Sequence, residues 1–196
     1  MNRIASFLSC SLLSASLLSA QTQTLRGKVE DVQGTANQFV LDGTNLPLVS
    51  TALNLNLWIG QQAILQVVNV GTPGAPLLRV DAAVATTKIL DMGNLQLGQT
   101  DTWEVRASAG SVAFLFLDRT SSTGFLPLFG FGVWVLGVTP YQVAWGFTNG
   151  ANVFQVPFTT PADPTLIGLP ITSQALVGDP TNAWYFSNPD NKTVQP

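Results

Sequence analysis

Along most of the chain apolar residues recur at every second position, and Gly, Pro, Asn and Asp interrupt them at intervals of roughly 8–15 residues. That pattern predicts an all-β fold, since a helix would repeat its apolar positions every three or four residues. Leu78, Val80, Ala82 and Val84 fall on one side of a strand, with Arg79 and Asp81 on the other. Trp103, Val105 and Ala107 alternate with Thr102, Glu104 and Arg106, and Tyr141, Val143, Trp145 and Phe147 alternate with Gln142, Ala144 and Gly146. Each stretch reads as a half-buried strand, with Trp103 and Trp145 expected in the core, where large apolar side chains usually go. Residues 112–117 are apolar on both faces, as a central strand requires. Asn149-Gly150, between the run ending at Phe147 and the run beginning at Val153, predicts a type I′ hairpin, because both residues tolerate positive φ.

The punctuation divides the chain near 86–91. Ahead of it lie five strand candidates, 24–32, 38–41, 46–49, 62–70 and 76–84, with an Asp42-Gly43 turn between the second and third. Residues 53–57 alternate like a strand but also suit a short helix. Five short strands in one small unit predict a closed barrel, because closure removes exposed edges. The expected organisation is a barrel domain over 21–86 and an antiparallel β-sandwich over 89–196.

Residues 1–20 look like a secretory signal peptide: Arg3 supplies the only charge, an apolar run follows, and Ala20 closes the segment. The run is shorter and richer in serine than a bilayer span of about 20 apolar residues. Cleavage there removes Cys10, the sole cysteine, so the mature chain has neither disulfide nor thiol. The expectation is export to the periplasm, the cell envelope or the medium.

Composition narrows the chemistry further. The chain has no histidine, which excludes Ser-His-Asp catalysis and, with the cysteine gone, ordinary zinc sites. Charged residues make up 10% of the chain and the net charge is −3, which argues against a nucleic-acid partner. With 46% hydrophobic residues the chain is equally unlike a disordered one.

Two resemblances follow from particular residues. Leu25-Arg26-Gly27-Lys28-Val29, Phe39-Val40-Leu41-Asp42-Gly43, residues 60–65 and Leu77-Leu78-Arg79-Val80 together resemble small bacterial OB-fold domains. That resemblance implies a face on the second and third strands suited to oligonucleotides or oligosaccharides, where Phe39 is the stacking aromatic and Trp58 lies beyond it. The run 165–180, with Gln174-Ala175-Leu176-Val177 at its centre, followed by Phe186-Ser187-Asn188, resembles the C-terminal β-sandwich domain of secreted proteins abundant in planctomycetes. That resemblance implies export and a sandwich, and carries over no catalytic residue. The chain departs from the pattern at Pro189-Asp190-Asn191-Lys192, which reads as a polar turn ending a short or frayed last strand.

The remaining candidates are few. Glu30 and Asp31 are adjacent, so on a strand they point apart. Asp101, Glu104 and Asp118 show no spacing that pairs two carboxylates on one substrate, as a glycosidase needs. Asp42, Asp179, Asp190, Asn182, Asn188 and Asn191 offer oxygens to calcium, but turn chemistry accounts for such residues equally well. Residues 125–138 lack any charged side chain and read either as a loop entering a buried strand or as an exposed apolar patch. Trp184 and Tyr185 are adjacent on a strand, so one should face outward; they are the candidate ligand-binding residues. The expected function is a non-enzymatic exported structural or binding module, with no cofactor and no metal. Its partner is a polysaccharide or an envelope protein. The rival readings are a carbohydrate-binding module built on exposed aromatics and a carboxylate-based glycoside hydrolase.

Overall fold

The computed structural model describes residues 21–32, 37–72, 74–128 and 130–196; the expected signal peptide lies outside them. The first five strands are β1 (Gln23–Asp31), β2 (Phe39–Leu41), β3 (Pro47–Val49), β4 (Gln62–Asn69) and β5 (Leu78–Ala85). They close a barrel in the order β1-β2-β3-β5-β4, in which β1 pairs with both β2 and β4, and β3 runs parallel to β5. Leu25, Val29, Leu41, Leu48, Leu65, Val67, Leu78 and Val80 fill its interior. Gly27 lies inside because a Cβ there would collide with the Leu41 side chain. Residues 53–57 settle as a turn of 3-10 helix, Leu55–Trp58, started by the Asn54 side chain accepting the Asn56 N–H at 3.1 Å. On β5 the expected alternation slips at Asp81. The pairing with β4 skips that residue, so Ala83 packs on the core and Val84 is exposed.

The later strands are β6 (Leu90–Asp91), β7 (Thr100–Arg106), β8 (Val112–Arg119), β9 (Leu126–Leu128), β10 (Gly132–Trp134), β11 (Tyr141–Phe147), β12 (Val153–Thr159), β13 (Pro170–Gly178), β14 (Trp184–Phe186) and β15 (Asp190–Thr193). One sheet runs β12-β7-β6; the other runs β11-β8-β13-β14, with β15 also paired to β13. Leu90, Trp103, Val105 and Val156 of the first sheet meet Ala113, Leu115, Ala175 and Val177 of the second in one core, which makes the pair a sandwich. Trp103 is 0% exposed, as expected.

Two expectations from the sequence are corrected here. Asn149-Gly150 does not join a hairpin: β11 pairs with β8 and β12 with β7, so the segment carries the chain from one sheet to the other. The left-handed residue of this turn is Asn152 (φ 64°), and the Asn149 side chain accepts the Ala151 and Val153 N–H groups. Likewise Asp190-Asn191-Lys192-Thr193 is a strand rather than a turn. Its polar side chains are tied elsewhere in the fold: Asp190 accepts the Met92 N–H at 2.6 Å and pairs with Lys88 at 3.0 Å.

Barrel and sandwich meet along a polar and an apolar seam. On the polar side the Thr172 hydroxyl donates to the Gly43 carbonyl at 2.8 Å. On the apolar side the β9–β10 hairpin is wedged between the two units. Val133 and Val135 join the barrel core, while Trp134, pointing the other way, packs on Phe116 and Phe186 of the sandwich. Gly132 brings β10 against β1, so closely that a Cβ would stand 2.6 Å from the Thr24 carbonyl oxygen. The fully buried Gln174 locks the hairpin in place. Its Oε1 accepts the Val135 N–H at 3.0 Å, and its Nε2 donates to the carbonyls of Val133 and Ser187 at 3.1 and 3.2 Å. The motif that carried the sandwich resemblance therefore has a physical role.

Asn188 stitches the linker down in the same way, accepting the Ile89 and Leu90 N–H groups and donating to the Leu90 carbonyl. Lys88, beside it, pairs with Asp91 at 2.7 Å and Asp190 at 3.0 Å. Burial disfavours its ammonium, but these two bonds outweigh burial and hold its pKa above the ordinary 10.5. A raised pKa means that the folded state binds the proton more tightly than the unfolded one. The stabilisation is therefore complete below about pH 10.5 and fades as pH rises through the folded-state value. Thermal melts should show Lys88→Met less stable than wild type at pH 8, with the gap closing above about pH 10.5. A gap that stays constant with pH would show that the Lys88 charge contributes nothing.

Candidate functional site

The outer face of the β11-β8-β13-β14 sheet carries a row of aromatic rings. Trp145 on β11 stands opposite Phe114 on β8 in the strand register. Their centroids are 6.3 Å apart and their planes 21° from parallel. Phe114 and Trp184 follow at 6.4 Å and 26°. Phe147 and Phe131 flank the row at its two ends, each 6.4 Å from its neighbour and turned edge-on, at 73° and 64°.

The row is set by small residues as much as by aromatic ones. Trp184 pairs with Gly178 on β13 and lies across it; a Cβ there would come within 2.8 Å of the indole. Any larger residue would push the indole off the sheet and break the alignment with Phe114. Val143 packs on the core at a bulge in the pairing with β8, beyond which the inward positions of β11 are Ala144 and Gly146, and a Cβ on Gly146 would collide with the Phe154 ring of the facing sheet. The space beside Gly146 is already taken, so Trp145 and Phe147 turn outward. This corrects the expected core position of Trp145, which is 59% exposed; Trp184 is 36% exposed. Phe114, Phe131 and Phe147 were not singled out from the sequence. The small residues alternating with Trp145 and Phe147 were the available signal, since a strand with a small inner face directs its large residues outward.

Next to the row, Trp134 packs over the same sheet face. Trp134 meets Phe116 at 5.2 Å and Phe186 at 5.3 Å, both edge-on, and its indole N–H donates to the Gly137 carbonyl. Residues 125–138 thus divide between the two readings considered for them. Val133, Val135 and Leu136 are buried, whereas Leu126 and Phe131 are exposed and Val138 is 93% exposed.

Of the two candidate residues, Trp184 faces outward within the row, while Tyr185 packs against the sandwich core and meets Arg26 of the barrel. The Arg26 guanidinium sits 4.5 Å above the Tyr185 ring, a cation–π arrangement. Burial lifts the pKa of the Tyr185 hydroxyl, with Arg26 opposing the shift. Beside them opens a cleft of about 510 Å³ between β1, the turn at Gly130–Gly132 and β14. Thr22, Gln23, Thr24 and Arg26 line one wall, and Phe131, Trp184 and Tyr185 the other. The cleft begins where the aromatic row ends, at Trp184 and Phe131.

The other candidates are bound up in local structure. Asp101 accepts the Asn94 and Thr102 N–H groups, which hold its pKa low. Glu104 bonds Gln155 and Arg106 with the same effect. Asp118 accepts the N–H groups of Arg119 and Gly137. Asp179 closes its own turn on Thr181 and Ala183. No group of three or more acidic or thiol side chains poised for a metal occurs among the described residues. On the barrel, Phe39 is buried and Trp58 packs against the core, so neither offers an open stacking surface. No helix among the described residues is long and apolar enough to cross a membrane. Compared with protein-family models, curated proteins and solved structures, the chain matches none.

Proposed function

We propose that the protein is an exported, non-enzymatic binding module whose aromatic row holds a polysaccharide chain. The observation that carries this reading is the near-parallel set Trp145, Phe114 and Trp184 on the outer sheet face, with Trp145 and Trp184 exposed and Phe114 half-buried between them. A pyranose ring presents a flat face of C–H bonds, which packs on an aromatic ring and displaces water from both surfaces. Three near-parallel rings contributed by three strands form a row rather than a pocket, which suits a chain of repeating sugars. Exposed apolar strips of this kind mark binding surfaces on soluble proteins. The barrel's strand order, with β3 parallel to β5 and a helical turn between β3 and β4, supports reading it as OB-like. With Phe39 in its core, the barrel acts here as a support rather than a second platform. The leader-like segment 1–20 supports export. A second reading, docking onto an envelope protein, is favoured by the exposed Leu126 and Val138 beside the row.

Tryptophan fluorescence separates the two. Of the five tryptophans, Trp145 and Trp184 are exposed and Trp103 is sealed. Iodide should quench a fraction of the emission and leave a blue-shifted remainder. In a panel of polysaccharides, at least one should protect the quenchable fraction. If every polysaccharide leaves the quenching unchanged, the glycan reading falls and the envelope-protein reading replaces it.

A further inference from the structure

Arg26 stands out in the cleft that continues the aromatic row. It is partly buried on the outside of β1, and none of the ion pairs among the described residues includes it. The other cations on β1, β5 and the linker are paired: Lys28 with Glu30 and Asp42, Arg79 with Asp81, Lys88 with Asp91 and Asp190. Arg26 instead rests over the Tyr185 ring, and its N–H groups have no carboxylate partner among the described residues. Burial lowers its pKa, the mark of a cation that lacks an anion to offset its lost hydration. An arginine held in this way is suited to a planar, two-oxygen anion, which a guanidinium binds through two parallel hydrogen bonds.

The surroundings narrow the ligand further. The cleft wall next to Arg26 carries Thr22 and Thr24, whose hydroxyls are groups that hydrogen-bond sugar hydroxyls. Its opposite wall is the Trp184 indole, which is also the last of the three parallel rings. A chain lying along the row is therefore directed into the cleft with one residue beside Arg26.

We propose that the ligand is an acidic polysaccharide, with the carboxylate of one uronic acid residue paired to Arg26 in the cleft and its neighbours stacked along Trp184, Phe114 and Trp145. This rests on the aromatic row being a glycan platform. The test measures affinity of the full exported chain for polygalacturonate, for a neutral soluble β-glucan and for dextran sulfate. Wild type, Arg26→Gln, Arg26→Lys and Trp145→Ala are compared.

Polygalacturonate should bind tightest, and more weakly as salt is raised. Arg26→Gln should lose about 10–100-fold in affinity for it and much of the salt dependence. Binding of the neutral glucan should fall less than about threefold. Arg26→Lys should fall between, since an ammonium keeps the charge but not the fork. If Arg26→Gln binds polygalacturonate like wild type while Trp145→Ala loses it, the carboxylate subsite is wrong and the platform stands. If dextran sulfate binds tighter and depends on Arg26, the anion is a sulfate ester and the uronate assignment is overturned. If no glycan binds wild type, the platform and the subsite fall together.

Discussion

Gln174→Leu should lower the melting temperature by about 8–16 °C, a loss of about 4 kcal/mol in a chain of this size. Leucine is about as large as glutamine, so cavity formation contributes little. The cost lies in the partners left behind. The Val135 N–H and the Val133 and Ser187 carbonyls would lose the bonds that Gln174 supplies, in a region closed to water. An unsatisfied buried polar group costs about 1–3 kcal/mol. Gln174→Glu should be at least as damaging, because a carboxylate would face two carbonyl oxygens where the amide now donates. Urea unfolding of both variants checks this. A Gln174→Leu variant within about 1 kcal/mol of wild type would mean that the hairpin is held by Val133, Val135 and Trp134 alone.

Removing the aromatic row should abolish glycan binding with little effect on the fold. Trp145→Ala should weaken binding about thirtyfold, as loss of an aromatic anchor of about 2 kcal/mol would. The double variant Trp145→Ala, Trp184→Ala should lose more than about a hundredfold. Its melting temperature should change less than that of Gln174→Leu, because Trp145 is 59% exposed and Trp184 36% exposed. Titration calorimetry with the polysaccharide that protects against iodide gives the affinities. A folded double variant that binds as tightly as wild type would remove the row from any role in recognition.

Much of the architecture was legible in the residue pattern, and the exceptions have a common origin. The five barrel strands and their closure follow from alternation and turn residues, which are local properties of the chain. Alternation alone does not say which face is inside. For the strand carrying Trp145 that choice was made by Phe154, which occupies the space beside Gly146 from the facing sheet. Asn149-Gly150 has the chemistry of a hairpin, but which strands pair is decided by β8 and β7, far along the chain. The polar segment 190–193 becomes a strand because Lys88 and Met92, about a hundred residues earlier, bond Asp190. The candidate site was half legible for the same reason. Trp184 and Tyr185 were visible as an adjacent pair on a strand. Their partners Phe114 and Arg26 come from β8 and from the barrel, and no spacing along the chain connects them.

The β9–β10 wedge has a consequence for how the molecule can be divided. Val133 and Val135 belong by sequence to the second half and by packing to the core of the first. A cut in the linker at Thr86 would open a hole in the barrel interior and expose the valines that had filled it. The first half would lose part of its core and the second would expose apolar surface, so the two should melt as one cooperative block. The linker is then a seam inside a single folding unit, and a ligand bound on one half would stabilise both.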